Sequence, residues 1–218
     1  MSEQRGLFFV IEGIDGSGIS TQSRLLWHWL REQGRRCHLP KEPSAGPVGT
    51  LIRLALARRL GWRDDGQFSE IDERTLALLF AADRADHLGA EIRPLLARGV
   101  DIVCDRYVLS SCAYHSLALD VEWIEAINSA FPAPDLTLFL DVPAEVCLER
   151  LTQSRVNFER RESLDELRRI RENFIANIKR RVARGERIEI IPAQNRPIAE
   201  VAEMVRRAVR PLVGSAAP

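Results

Sequence analysis

An apolar run, Phe8-Phe9-Val10-Ile11, leads through Glu12 into a glycine-rich turn, Gly13-Ile14-Asp15-Gly16-Ser17-Gly18, and then into a long stretch of helical periodicity. A buried strand that turns on three glycines straight into a helix leaves few architectures open. The segment fits G-x-x-x-x-G-K-[ST] at every fixed position except one, where Ile19 stands in place of the lysine. In such a loop the glycines let successive backbone N–H groups curl around a phosphate, the helix N-terminus adds positive potential, and the hydroxyl after the lysine holds Mg²⁺. Gly13, Gly16, Gly18 and Ser20 keep those parts. The lysine brings a full positive charge to the phosphates as charge moves between them, and Ile19 cannot do that.

Short apolar runs alternate with helical segments along the rest of the chain, the pattern of a parallel sheet covered by helices on both faces, an α/β class. Strands are expected at Leu7–Ile11, Arg36–Leu39, Val100–Asp105, Leu136–Asp141 and Ile188–Ile191. Helices are expected at Gly18–Gln33, Pro47–Arg59, Ile71–Arg98, Val121–Ala130, Ala144–Thr152, Leu164–Gly185 and Ile198–Val209. Residues 1–218 read as one domain without repeats or low-complexity linkers. The polar stretch Gly61–Gly66 and the arginine-rich stretch at about 153–163 read as covers over a site. Ligands of such sheets lie at the carboxyl ends of the strands, so the loops carrying Asp15, Glu42, Arg106 and Arg155 are expected to converge there.

Composition narrows the partners. The 31 basic and 31 acidic residues cancel, which gives no electrostatic support to nucleic-acid coating or to an anionic membrane surface. All but Lys41 and Lys179 of the basic residues are arginine, so arginine carries the phosphate contacts, through its bidentate fork. Cys37, Cys104, Cys112 and Cys147 form no C-x-x-C pair and no metal-ligand spacing with the histidines, which reads as free thiols in a reducing cytoplasm. No apolar stretch reaches bilayer-spanning length. His28, between Trp27 and Trp29, reads as helix packing with a polar edge.

Motifs further along converge on one family. Phe9 to Gly18, Lys41-Glu42-Pro43 with Pro47-Val48-Gly49 and Ile52-Arg53, Leu79-Phe80-Ala81-Ala82-Asp83-Arg84, Asp105-Arg106-Tyr107 with Ser110-Ser111 and Ala113-Tyr114, and Pro134 to Pro143 together resemble the thymidylate kinases. The resemblance covers nearly the whole chain. It implies a P-loop kinase fold with a five-stranded parallel sheet and a short arginine-rich lid. It further implies transfer of a phosphoryl group from ATP, with Mg²⁺, to thymidine monophosphate. On this resemblance Gly13, Ile14, Asp15, Gly16, Ser17, Gly18, Ile19, Ser20 and Thr21 bind ATP, with Ser20 on the metal. Glu42, Pro43, Arg53, Phe80, Arg84, Asp105, Arg106, Ser110, Tyr114 and His115 surround the acceptor, and a homodimer packed through helices is expected.

Single residues keep local alternatives. Asp15 could cap a turn; an acid among phosphate-cradling amides instead suits orienting Mg²⁺, water or the nucleotide sugar. Arg106 could pair with Asp105, or clamp the acceptor phosphate bidentately, as the resemblance assigns it. Phe80 and Arg84 lie four apart, which on helical spacing alone reads as a core phenylalanine and a solvated arginine. The resemblance turns them toward the base, Phe80 stacking on thymine and Arg84 donating to a base carbonyl. Tyr114 reads equally as a packed aromatic or as a neighbour of the deoxyribose. Arg155, Arg160 and Arg161 read as a solvated helix start or, from the resemblance, as candidates for a transition-state arginine on the lid. His115 and Ser116 stand where the family usually has glutamine and glycine.

Ile19 leaves three readings: a kinase slowed by the missing charge, a nucleotide-binding regulatory homologue, or a natural or engineered substitution in an otherwise ordinary enzyme. Separately, the phosphate loop, Glu42-Pro43 and Asp105-Arg106 are also shared by deoxyribonucleoside kinases, in which Glu42 would serve as base. Retention of Asp15, Ser20, Arg106 and the basic lid favours a working monophosphate kinase.

Overall fold

The computed structural model describes residues 5–64, 67–153 and 163–214. In chain order its strands are β1 (Phe8–Glu12), β2 (Cys37–His38), β3 (Gly61–Asp64), β4 (Gln67–Glu70), β5 (Asp101–Asp105), β6 (Leu136–Asp141) and β7 (Ile188–Pro192). β2, β5, β1, β6 and β7 lie side by side in that order, every pairing parallel, so the expected five-stranded parallel sheet is present with β1 at its centre. A central parallel strand is buried on both faces and reads as an unbroken apolar run, and every residue of β1 is buried.

The helices are α1 (Ile19–Glu32), α2 (Pro47–Leu56), α3 (Glu73–His87), α4 (Arg93–Ala97), α5 (Val108–His115), α6 (Val121–Asn128), α7 (Ala144–Gln153), α8 (Leu164–Ala183) and α9 (Ile198–Val213). Alternate residues of β1 feed the two faces. Phe9 and Ile11 pack with Leu26 and Leu30 of α1, Phe174 of α8 and Val205 of α9, whereas Phe8 and Val10 pack with Leu88, Ile92 and Leu96.

Three elements differ from the sequence expectation. Gly61–Gly66 was expected to be a polar covering loop, but residues 61–64 pair antiparallel with residues 67–70 as a hairpin, with Gly61 opposite Glu70. A Cβ on Gly61 would lie 2.4 Å from the Ser69 carbonyl oxygen, so the glycine there is fixed by the close approach of the second strand. The single helix expected over Ile71–Arg98 is broken. Asp72 caps α3 by accepting from the Arg74 and Thr75 amides, and a π-helical turn over Leu88–Ile92 precedes α4. Pro94 has no N–H to offer the preceding turn and its ring crowds the carbonyl four residues back, which accounts for the widened turn just upstream.

Helix α5 had no sequence signal, because Tyr107 at its N-cap makes no side-chain cap. Glu12, at the end of β1, caps it from a distance. One carboxylate oxygen accepts from the amides of Tyr107 at 2.9 Å and Ser110 at 3.2 Å, and the other accepts from the Ser110 hydroxyl. Burial pushes the Glu12 carboxyl up from 4.5 to about 7, outweighing the lowering effect of those bonds and of Arg106.

A native pKa above the unfolded value means that the folded state holds this proton more tightly. The stabilisation is complete below about pH 4.5 and is lost as the pH rises through about 7. Glu12→Gln can keep both amide bonds through Oε1, replaces the third with an NH2 donating to the Ser110 hydroxyl oxygen, and does not titrate. Urea unfolding at a series of pH values is therefore expected to show the native chain losing about 3 kcal/mol relative to Glu12→Gln across that window. A constant difference between the two would contradict this account.

Candidate functional site

Parallel pairing sets Ile11 beside Asp105, and the ladder continues one step past both strands. The Arg106 amide donates to the Ile11 carbonyl and the Glu42 amide to the Asp105 carbonyl, each at 3.0 Å. The glycine loop, Asp105-Arg106 and Lys41-Glu42 therefore leave the sheet together at the carboxyl ends of its strands, as the sequence implied.

Gly13 to Thr21 form the turn from β1 into α1, with Gly16 at φ 82° and Gly18 at φ 97°. Both are left-handed backbone conformations that favour glycine, and a Cβ on Gly16 would meet the Cys147 carbonyl oxygen of α7 at 2.6 Å. Ser20 and Thr21 are exposed at the mouth, and the Ser20 hydroxyl donates to Asp105 Oδ2 at 2.5 Å. Ile14 and Ile19 are both buried in the apolar cluster beneath the loop. The Ser17 hydroxyl is buried without a hydrogen-bond partner among the described residues.

Arg106 is the centre of the first group of side chains. It holds a left-handed conformation at φ 71°, which costs a non-glycine residue about 1–3 kcal/mol and collects at functional sites. Its guanidinium pairs with Asp15, donates to the Gly13 carbonyl and the Ser110 hydroxyl at 3.2 Å each, and lies 5.1 Å from the centre of the Tyr114 ring. Tyr114 in turn accepts from the Asp15 amide at 3.0 Å, so this tyrosine touches the glycine loop itself. Burial works against the charge on Arg106, but Tyr114, Asp15, Asp105 and Glu12 outweigh it and hold its pKa above the ordinary arginine value.

Glu42 and Arg84 form a second group. Arg84 is 1% exposed, which overturns the solvated arginine that helical spacing alone suggests. Its Nε and Nη2 donate to Glu42 Oε2 at 2.9 and 2.6 Å, Nη2 also reaches Ser111 Oγ at 3.0 Å, and Nη1 bonds Asn128. Pro43 follows Glu42 through a cis peptide, and Arg53 of α2 donates to the carbonyls of Pro43 and Ser44. Phe80 and His115 make a third group, their rings 5.2 Å apart and edge to face, with His115 Nδ1 2.6 Å from Glu73 Oε1. Arg155, Arg160 and Arg161 lie outside the described residues, between the end of α7 and the capping box that Ser163 and Glu166 form at the start of α8.

Three polar residues at this end of the sheet escaped the sequence reading. Glu12 stands between the apolar run Phe8–Ile11 and the glycine turn, where nothing marked its reach to α5. Asp83 is buried and receives the Ser44 amide and hydroxyl at 2.7 and 2.6 Å; its place one residue before Arg84 was the available signal. Arg150 of α7 donates from Nη1 to the Gly16 carbonyl at 3.3 Å, bringing a second cation to the loop. Among the described residues no group of three histidine, cysteine or acidic side chains is arranged to hold a metal, and no helix is long and apolar enough to cross a membrane.

A glycine loop at a helix N-terminus with an arginine fixed beside it suits a phosphorylated ligand. The family model described as thymidylate kinase matches residues 11–205. A probable thymidylate kinase of Pyrococcus abyssi is 45% identical over 174 residues, covering 78% of this chain and 82% of its relative. One from Pyrobaculum aerophilum is 39% identical over 207 residues, covering 93% and 98%. A putative thymidylate kinase of Treponema pallidum is 40% identical over 147 residues, covering 66% of each. On that matched span and these identities, the chain belongs to the thymidylate kinase family.

Proposed function

We infer that this chain transfers the γ-phosphoryl group of ATP to thymidine monophosphate, giving thymidine diphosphate. The observation that carries the reading is Arg106, held against Asp15 and Ser110 at the mouth of the glycine loop. There its fork can take the acceptor phosphate bidentately and offset the repulsion between two anionic substrates. The amides of Gly13 to Thr21 cradle the ATP phosphates, and Asp15 keeps Arg106 and the nucleotide sugar in place.

Ser20 and Asp105 offer adjacent hard oxygens at the mouth of the loop, a donor set that suits Mg²⁺ with phosphate and water completing its shell. When bound, the metal neutralises charge on the transferred group. Phe80 and His115 border the acceptor base, Tyr114 the sugar, and Arg84 with Glu42 closes the pocket behind the base. Pro43 and Arg53 shape the loop at that edge. Glu42 is buried against Arg84, which counts against its serving as the base of a nucleoside kinase. Arg155, Arg160 and Arg161 remain the lid candidates for charge at the transferred phosphoryl group.

The missing lysine lowers the rate without removing the site, and Arg150 beside Gly16 supplies part of the lost charge. The exposed leucines Leu51 and Leu54 of α2 and Leu78 of α3, which are 43%, 37% and 48% exposed, fit a homodimer packed through these helices. We assign the chain to the cytoplasm as one domain.

A coupled ADP-release assay with ATP and thymidine monophosphate is expected to show turnover in the native chain. Ile19→Lys should raise kcat by about 10- to 150-fold, the worth of one charge-assisted contact. No turnover in either protein would sink the kinase reading. Thymidine in place of the monophosphate should give no product, because it offers Arg106 no phosphate. Arg150→Ala should slow the native chain more than it slows Ile19→Lys; equal effects in the two backgrounds would show that Arg150 does not substitute for the lysine. Leu54→Arg should convert a dimer to a monomer in sedimentation without loss of the fold, and an unchanged mass would move the interface elsewhere.

A further inference from the structure

Helix α3 buries three polar residues of its last two turns against the Glu42 loop: Asp83, Arg84 and His87, exposed by 1%, 1% and 3%. Arg84 occupies Glu42 Oε2. The other carboxylate oxygen, Oε1, is buried without a hydrogen bond, and so is His87 Nδ1; the two face each other 3.7 Å apart. On the far side of the ring, His87 Nε2 lies 3.2 Å from Glu91 Oε2, and Glu91 Oε1 lies 2.5 Å from His38 Nε2. Glu91 and His38 are 40% and 41% exposed, so a chain of polar contacts runs from Arg84 to solvent.

Each ring nitrogen of His87 faces a carboxylate oxygen. A neutral imidazole has one N–H and one lone pair, so one carboxylate would meet a lone pair; the imidazolium donates to both. Charge balance points the same way, since Asp83 and Glu42 place two negative charges in this buried region against the one positive charge of Arg84. From the neighbouring elements, the Tyr107 ring lies 5.1 Å from the Arg84 guanidinium, and burial holds its phenol above the ordinary range and neutral. Cys104 of β5 is held well above its ordinary range by burial and stays neutral, while α5 and α6 meet the cluster with Ser111 and Asn128. Arg53 of α2 is bonded to the loop carbonyls.

We propose that His87 is a positioning residue of the acceptor site, whose imidazolium holds Glu42 and through it the Arg84 guanidinium, so that loss of the His87 proton loosens acceptor binding. The proposal rests on the reading above in which Arg84 lies at the acceptor base. Although burial of the ring opposes the charge, Glu42, Glu91 and Asp83 raise the His87 pKa above 6.5. The effect is therefore complete below pH 6.5 and fades as the pH rises through the raised value.

The test is the KM for thymidine monophosphate and kcat against pH in the full-length chain, for the native protein, His87→Gln and Glu91→Gln. The native KM is expected to rise by about fivefold or more toward high pH, the lower end of ordinary coupling between sites, with kcat changing less. His87→Gln should be flat, near the native high-pH level. Glu91→Gln, altered at the exposed end, should shift the rise to lower pH. A native KM that parallels His87→Gln at every pH, or a midpoint untouched by Glu91→Gln, overturns the proposal. If no thymidine monophosphate turns over at all, the kinase reading falls, and ¹⁵N NMR of the histidines still decides the charge. Two protonated ring nitrogens on His87 at pH 6.5 support the imidazolium, and a neutral ring at that pH overturns it.

Discussion

The register of β1 against β5 fixes where everything else in the site stands. A slip of two residues would bury the same side chains on the same faces, yet would carry Arg106 about 7 Å along the sheet, away from Asp15 and Gly13. Apolar patterning cannot forbid that slip. Glu12 can, because its carboxylate meets the amides of Tyr107 and Ser110 in one register alone. A buried acid in the central strand thus does two things at once: it starts α5 and sets Arg106 beside the glycine loop. Its cost is a carboxyl group that burial pushes up to about 7.

The same economy governs the loop after β2. Burying Asp83, Arg84, Glu42 and His87 together does not by itself stabilise a fold, since desolvation offsets most of the attraction and an apolar cluster of equal volume would serve as well. What such a cluster supplies is a unique geometry. Asp83 fixes the Ser44 amide and hydroxyl, Arg84 fixes Glu42, Ser111 and Asn128, and between them the loop after β2 is fastened to α3 and α5. Exposed side chains at those places would leave the loop free to move.

Much of the architecture was legible because it depends on period and composition. The largely apolar runs of β1, β5 and β6 pointed to a doubly covered parallel sheet, and the glycines at 13, 16 and 18 marked the loop. What escaped depends on contacts distant in sequence. The hairpin of β3 and β4 has no alternating pattern, and α5 takes its cap from a residue 95 positions earlier. Pro94 was a local signal that helical periodicity over Ile71–Arg98 concealed. Within the site, loop positions and motif context brought out Asp15, Arg106 and Glu42, and the family resemblance alone brought out Arg84. They did not reveal that Arg84 is buried, or that Tyr114 reaches the loop amide of Asp15.

Ile19 separates two functions that a phosphate loop ordinarily combines. Binding of phosphate rests on backbone amides and on the start of α1, both set by Gly16 and Gly18, and neither requires a lysine. Stabilising charge that moves during transfer rests on a cation placed for the transition state, and a contact made only there acts on kcat. Ile19 instead joins Ile14 in the apolar cluster below the loop, adding to the core what a charged side chain would not. On the proposed reading, then, the substitution leaves ATP affinity largely in place and falls on the rate of transfer. Among the described residues, Arg106 after β5 and Arg150 on α7 bring positive charge to the loop from its flanks.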